Sequence, residues 1–333
     1  MNPKEALAVI LFLIGLTLAV VLPITSRPAL ANSYPGFAYS HYMGSNSFDT
    51  TTLSDKGCDL ANAQDSGSRP TKAMVVFDYG HPDYQSPNYG TRDFSNVFRT
   101  LSTIEIAAED YLDGYFACVN QTSSNKLTLL LGTNNDNTTG HITETQGEKW
   151  GTAVNAVYNW MNNAGYSSHE DVRGADDIEP DFATYTATKS WLDGYGTTGT
   201  HVYDDYGGAA GCPSTTHSNG SCDNGWNQNK VQYVSWGDVL ALPLPEIYRT
   251  DGIQADQWHE VDLYSVNSLG TQMYFDGSFT QSKACSQVDM CGGSHPTNNT
   301  PSQGWNQLYN ALNSTSGTAQ SLLFATDIEW EFP

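Results

Sequence analysis

Three carboxylates alternate along the stretch Gly174-Ala175-Asp176-Asp177-Ile178-Glu179-Pro180-Asp181. Successive side chains of a strand point to opposite faces, so Asp177, Glu179 and Asp181 share one face, with Asp176 and Ile178 on the other. Gathering acids on one face is unfavourable unless water, a cation or a polar substrate meets them there. Neighbouring carboxyls push each other's pKa apart. A site that keeps one acid protonated and one ionised can run acid/base chemistry at a glycosidic bond. Glu179 is the expected general acid, with Asp177 tuning it or assisting the substrate. The competing reading is that the two acids cap loops or hold a structural cation.

Other apolar runs also end in acids or aromatic residues: Val76-Phe77-Asp78-Tyr79, Tyr203-Asp204-Asp205-Tyr206, Ser235-Trp236-Gly237-Asp238, Pro245-Glu246-Ile247-Tyr248 and Tyr274-Phe275-Asp276-Gly277. Asp78, Glu246 and Asp276 are the candidates for a second catalytic carboxyl. Trp236, Tyr203, Asp205 and Tyr79 are the candidates for substrate binding, because rings stack on sugar faces and carboxylates accept from hydroxyls. No metal or cofactor is expected. The eight histidines form no H-E-x-x-H, and neither a G-x-S-x-G elbow nor a C-x-x-C occurs. Asn134-Asn135-Asp136-Asn137 offers oxygens to calcium but reads better as a solvated turn.

These residues need a frame that brings strand ends together. The expected strands are Met74 to Asp78, Leu127 to Gly132, Gly174 to Glu179, His201 to Asp205, Val231 to Trp236, Leu244 to Tyr248, Gln272 to Asp276 and Leu322 to Ile328. Helical spacing joins Phe94, Val97, Phe98, Leu101, Ile104, Ala108 and Tyr111 behind Asp93 as N-cap. Trp150, Val154, Val157, Trp160 and Met161 form a second helix that Gly165 ends. Thr300-Pro301-Ser302-Gln303 reads as a capping box with proline in the first helical position, followed by Trp305, Leu308, Tyr309 and Leu312. The fold class is α/β: a single (β/α)8 TIM-type barrel over 73–333 with disulfide-stapled loops. Residues 32–72 form an irregular N-terminal segment packed on it. A doubly wound open sheet is the competitor, but no Gly-rich nucleotide loop follows the first expected strand. In a barrel the acid-bearing strand ends converge on one mouth.

Composition bounds the setting. The 333 residues carry a formal charge of −22, which argues against nucleic acid or an anionic membrane surface as partner. Lys4, the apolar run Ala6 to Leu22 and Ala29-Leu30-Ala31 read as a signal peptide over 1–31, cut before Asn32. An uncleaved anchor is the alternative. After cleavage no stable membrane insertion is expected, and the protein is secreted. Cys58, Cys118, Cys212, Cys222, Cys285 and Cys291 agree with export as disulfides. Short separations favour Cys212–Cys222 and Cys285–Cys291, leaving Cys58–Cys118, although spacing alone does not choose among the possible pairings.

Asp177-Ile178-Glu179 on an inner strand, with Asp78 closing what reads as the first strand, resembles the D-x-E pattern and first-strand Asp of family 25 lysozymes and of the wider group of secreted glycoside-hydrolase-like barrels. The resemblance implies a muramidase-type barrel acting on peptidoglycan glycan, with Glu179 as acid. The family's closing W-Q-Y strand is absent, with Gln257-Trp258 falling in an expected helix instead. The functional expectation is a secreted glycoside hydrolase acting on a polysaccharide, a cell-wall glycan included. The alternative is a non-catalytic secreted glycan-binding or cell-surface barrel.

Overall fold

The structure, a computed structural model, describes residues 33–238 and 240–330; the leader expected over 1–31 lies outside the described residues. Eight parallel strands build the barrel: β1 (Ala38–Tyr42), β2 (Lys72–Asp78), β6 (Lys126–Asn134), β7 (Glu170–Asp177), β8 (Tyr203–Asp205), β9 (Ala241–Pro243), β10 (Gly277–Thr280) and β11 (Phe324–Trp330). They follow one another around the sheet in chain order, and β11 pairs with β1. The ring closes where the chain just past β9 meets β10, through a parallel bridge between Glu246 and Phe279. There the Ile247 N–H donates to the Phe279 carbonyl at 2.8 Å. A small antiparallel meander, β3 (His81–Gln85), β4 (Asn88–Arg92) and β5 (Phe98–Thr100), is inserted after β2.

The helices are α1 (Thr50–Asp65), α2 (Leu101–Cys118), α3 (Glu144–Ala164), α4 (Tyr185–Thr198), α5 (Gln228–Gln232), α6 (Ile253–Tyr264), α7 (Ser282–Gln287) and α8 (Pro301–Asn313). Their apolar faces and the outward residues of the strands, such as Val75, Phe77, Leu129, Leu131 and Val172, form the larger core. The smaller core fills the barrel itself, with Met74, Val76, Leu130, Ala175, Leu244 and Phe279. Two helix pairs approach at backbone contact, which only glycine permits. A Cβ on Gly57 would lie 2.1 Å from the Tyr111 carbonyl oxygen, and one on Gly114 1.9 Å from that of Ser54. Gly147 and Gly194 do the same between α3 and α4. Cys58–Cys118 staples α1 to α2 beside that contact. Cys212–Cys222 and Cys285–Cys291 close loops, so the three bonds pair as the short separations favoured.

The expected barrel is present, with differences in its parts. Residues 32–72 are not irregular: they hold β1 and α1. β1 lacks an apolar alternation because Ser40 faces inward, where its hydroxyl hydrogen-bonds Thr326 at 2.6 Å and accepts from the Val76 N–H at 2.8 Å. Val231 to Trp236 is not a strand. It belongs to α5, capped by the Asn227 side chain, and to the wide turn Tyr233–Gly237 that prolongs it. Gln272 to Asp276 precedes β10 as a loop whose backbone is satisfied by side chains in place of a ladder. Asp262 accepts from the Met273 N–H at 2.8 Å, and Gln320 accepts from Phe275 and donates to Met273. Asp93 caps a turn, accepting from the Ser95 and Val97 amides, and α2 begins seven residues later on its own cap, Thr100. With β1 counted, the D-x-E stretch ends the fourth barrel strand and Asp78 the second. The helix ends at Gly165 and the Thr300–Gln303 capping box form as expected.

Candidate active site

The carboxyl ends of the strands open into a cleft of about 340 Å³ lined by Tyr42, Phe94, Asn134, Asp177, Glu179, Phe182, Glu246, Tyr248, Gln281 and Trp330. Asp177 is the last residue of β7, Glu179 lies two further on, and Glu246 follows β9 at the bridge that closes the ring. One oxygen from each of these three acids lies within 4.8 Å of the other two. Asp78, at the end of β2, sits beneath them, fully buried, with the Gly80 amide donating to Oδ1 at 2.9 Å. The floor is Tyr206, whose hydroxyl donates to the Thr133 carbonyl at 2.8 Å. Gly132 leaves room for this ring, since a Cβ there would lie 2.7 Å from the phenol oxygen.

Among the described residues none of the four carboxyls pairs with Lys, Arg or His. Burial pushes Asp177 and Glu179 well above the ordinary carboxylate range, and the mutual repulsion with Glu246 adds to it. Burial likewise raises Glu246 to about 8, against the lowering effect of the Tyr248 phenol, and Asp78 to about 7. The cluster therefore keeps protons near neutral pH and is able to give one to a bound group. The three oxygens that approach within 4.8 Å are also close enough to share one cation.

Glu179 is held by a residue outside the strand that carries it. Asn135, buried just past β6, accepts from the Glu179 N–H at 2.9 Å and donates to the Glu179 carbonyl at 3.1 Å. The same amide donates to Thr188 Oγ1 on α4 at 3.0 Å. The loop after β8 approaches the acids from the other side: a Cβ on Gly208 would come 3.2 Å from Glu246 Oε2 and 3.7 Å from Glu179 Oε2. Tyr42, Phe94 and Trp330 form one wall, with ring centroids 4.4–5.5 Å apart.

Of the sequence-derived candidates, Glu179, Asp177, Glu246 and Asp78 come together here. Asp276 does not. It precedes β10, so it lies at the opposite end of the barrel, bonded to Arg173 Nη1 at 2.6 Å. Arg173 also reaches the fully buried Asp204 at 3.5 Å. Tyr79 alternates outward and packs against Phe48, Phe77 and Trp150 beneath the helices. Tyr203 points outward as well, donating to the Val234 carbonyl. Trp236, in the turn after α5, packs edge-on to Tyr274 and is not part of the cleft. Asp205 is buried behind the strands, where it accepts from Ser235 and Gly207. Sequence reading missed Tyr42, Phe94, Trp330, Asn135 and Gly208. Tyr248 was legible, since Leu244, Glu246 and Tyr248 alternate onto one face.

Compared with protein-family models and with curated proteins, the chain matches none. Among the described residues no helix is long and apolar enough to cross a membrane.

Proposed function

We propose that the chain is a glycoside hydrolase that cleaves a polysaccharide, a cell-wall glycan being the expected kind. The observation that carries this reading is the approach of one oxygen each from Asp177, Glu179 and Glu246 to within 4.8 Å at the mouth of a (β/α)8 barrel, beside an aromatic wall and with no Lys, Arg or His partner among the described residues. In a barrel of this kind chemistry is done at that end. Glu179 is the most open of the three acids and faces the cleft, which favours catalysis over glycan binding alone. Its proton goes to the glycosidic oxygen as the bond to the anomeric carbon breaks.

The second step is taken as direct attack by a partner carboxylate, which the approach of one oxygen from each acid to within 4.8 Å favours. Carboxyl groups about 5 Å apart suit direct attack by the partner, whereas separations of roughly 6.5–9.5 Å admit an intervening water. Glu246, after releasing its own proton to solvent, attacks the anomeric carbon as the carboxylate and forms a glycosyl ester. Water, deprotonated by the Glu179 carboxylate, then releases the sugar and regenerates both acids. Burial, with repulsion from Glu246 and Asp181, keeps the proton on Glu179. The disulfides support an oxidising, exported setting. The test is release of reducing ends from a panel of insoluble glycans by the wild type and Glu179→Gln. Activity in the wild type that falls at least about 10³-fold in the variant supports the reading. Equal activity of the two removes Glu179 as acid, and no activity on any glycan leaves the binding role.

A further inference from the structure

We propose that the cleft selects glycans bearing free amines, polymers of the glucosamine type, over N-acylated or anionic ones. The inference rests on the cleft being a glycan site and names the class of sugar it takes. Among the described residues no Lys, Arg or His lines the cleft, so a carboxylate or sulfate on the substrate would meet three acids, whether protonated or ionised, and no counter-charge. One buried oxygen of the cleft wall, Asp177 Oδ1, has no hydrogen-bond partner among the described residues. An ammonium group brings three donors and a positive charge, and satisfies what this oxygen lacks.

The aromatic wall adds an independent element. Tyr42, Phe94 and Trp330 form a continuous aromatic surface, and Phe94 is 36% exposed. Ring faces attract cations as well as stacking on sugar rings. Carboxyl groups and aromatic rings lining one cleft together make a receptor for a protonated amine.

The test measures binding and hydrolysis of glucosamine, N-acetylglucosamine and galacturonic acid oligosaccharides by the wild type at about pH 6, where the amine is protonated. Each is run at low and high ionic strength. The expected result is a Kd and a kcat/KM at least about tenfold better for the glucosamine oligomer, equivalent to about 1.4 kcal/mol. The advantage shrinks as salt rises. Phe94→Leu, which keeps an apolar side chain on an exposed loop, reduces the preference about threefold. Equal affinity for the three, or preference for the galacturonate, overturns the inference. Amine-selective binding without hydrolysis of any polymer overturns the hydrolase reading and leaves amine selection standing. Hydrolysis without amine preference does the reverse.

Discussion

Asn135→Ala separates the positioning of Glu179 from its chemistry. Asn135 is fully buried and its side chain makes three hydrogen bonds, two of them to the backbone of Glu179 at 2.9 and 3.1 Å. Each such bond contributes about 1 kcal/mol, so the loss is about 3 kcal/mol, with water in the cleft able to reach the freed Glu179 groups. For a domain of this size that corresponds to a fall in Tm of about 5–10 °C. The larger consequence is kinetic. Without the clamp the segment after β7 is free to shift, and a displacement of about 1 Å at an acid costs about 10²-fold in kcat. Thr188→Val removes only the outer partner of the Asn135 amide and should cost about tenfold. The assay is glycan hydrolysis per folded molecule, alongside calorimetric Tm. A lowered Tm with kcat within about threefold of wild type would refute the positioning role, and an unchanged Tm would refute the energetic estimate.

Further outcomes follow from other parts of the molecule. Gly208→Ala places a methyl 3.2 Å from Glu246 Oε2; kcat/KM should fall about tenfold while Tm moves by no more than about 3 °C, and retained activity would show that the loop gives way. Arg173→Met strands the buried Asp204 and should cost about 3–5 kcal/mol by denaturant unfolding, whereas Asp276→Asn should leave turnover per folded molecule unchanged, because this cluster lies at the far end of the barrel. Stability should fall as pH rises from about 5 to about 8. Burial raises Asp78 and Asp205 to about 7, and Glu246 and Asp262 to about 8, so the folded state binds more protons than the unfolded chain, whose carboxyls titrate near about 4. Their contribution is complete below that value and lost as pH passes through 7 and 8. Tm measured across this range, with Asp262→Asn flattening the slope, checks the sign; a rising Tm would contradict it. Replacing Cys58 and Cys118 by Ala opens a crosslink spanning 60 residues and should cost about 2–4 kcal/mol in chemical denaturation.

The barrel was legible because strands such as Met74 to Asp78 and Leu127 to Gly132 are buried on both faces and read as apolar runs between helical patterns. β1 was not, since its inward hydroxyl at Ser40 and its His41 break that pattern, and Val231 to Trp236 took its place in the expected set of strands. Apolar, β-branched and aromatic residues at that density suit a short helix as well as a strand, and the decisive cap, Asn227, lies outside the run. In the site, Glu179 and Glu246 were legible from alternation at strand ends. Asp276 failed because a shift of a few residues in the start of β10 moves an acid from the carboxyl end of a strand to the opposite end of the barrel. Tyr79, Tyr203 and Asp205 failed by one step of alternation, which sends a side chain from the cleft to the helix layer. Asn135 read as part of a solvated turn, yet it is fully buried: its role depends on the distance between the ends of β6 and β7.

The most direct test of the Glu179–Glu246 assignment is rescue of Glu246→Ala by azide, which is small enough to enter the space the side chain leaves. The expected result is a variant inactive on the glycan that the wild type cleaves, with turnover restored by azide and the sugar released as a glycosyl azide of inverted configuration. Glycan hydrolysis by Glu246→Ala within about tenfold of wild type, without added azide, would contradict the assignment of Glu246 as nucleophile.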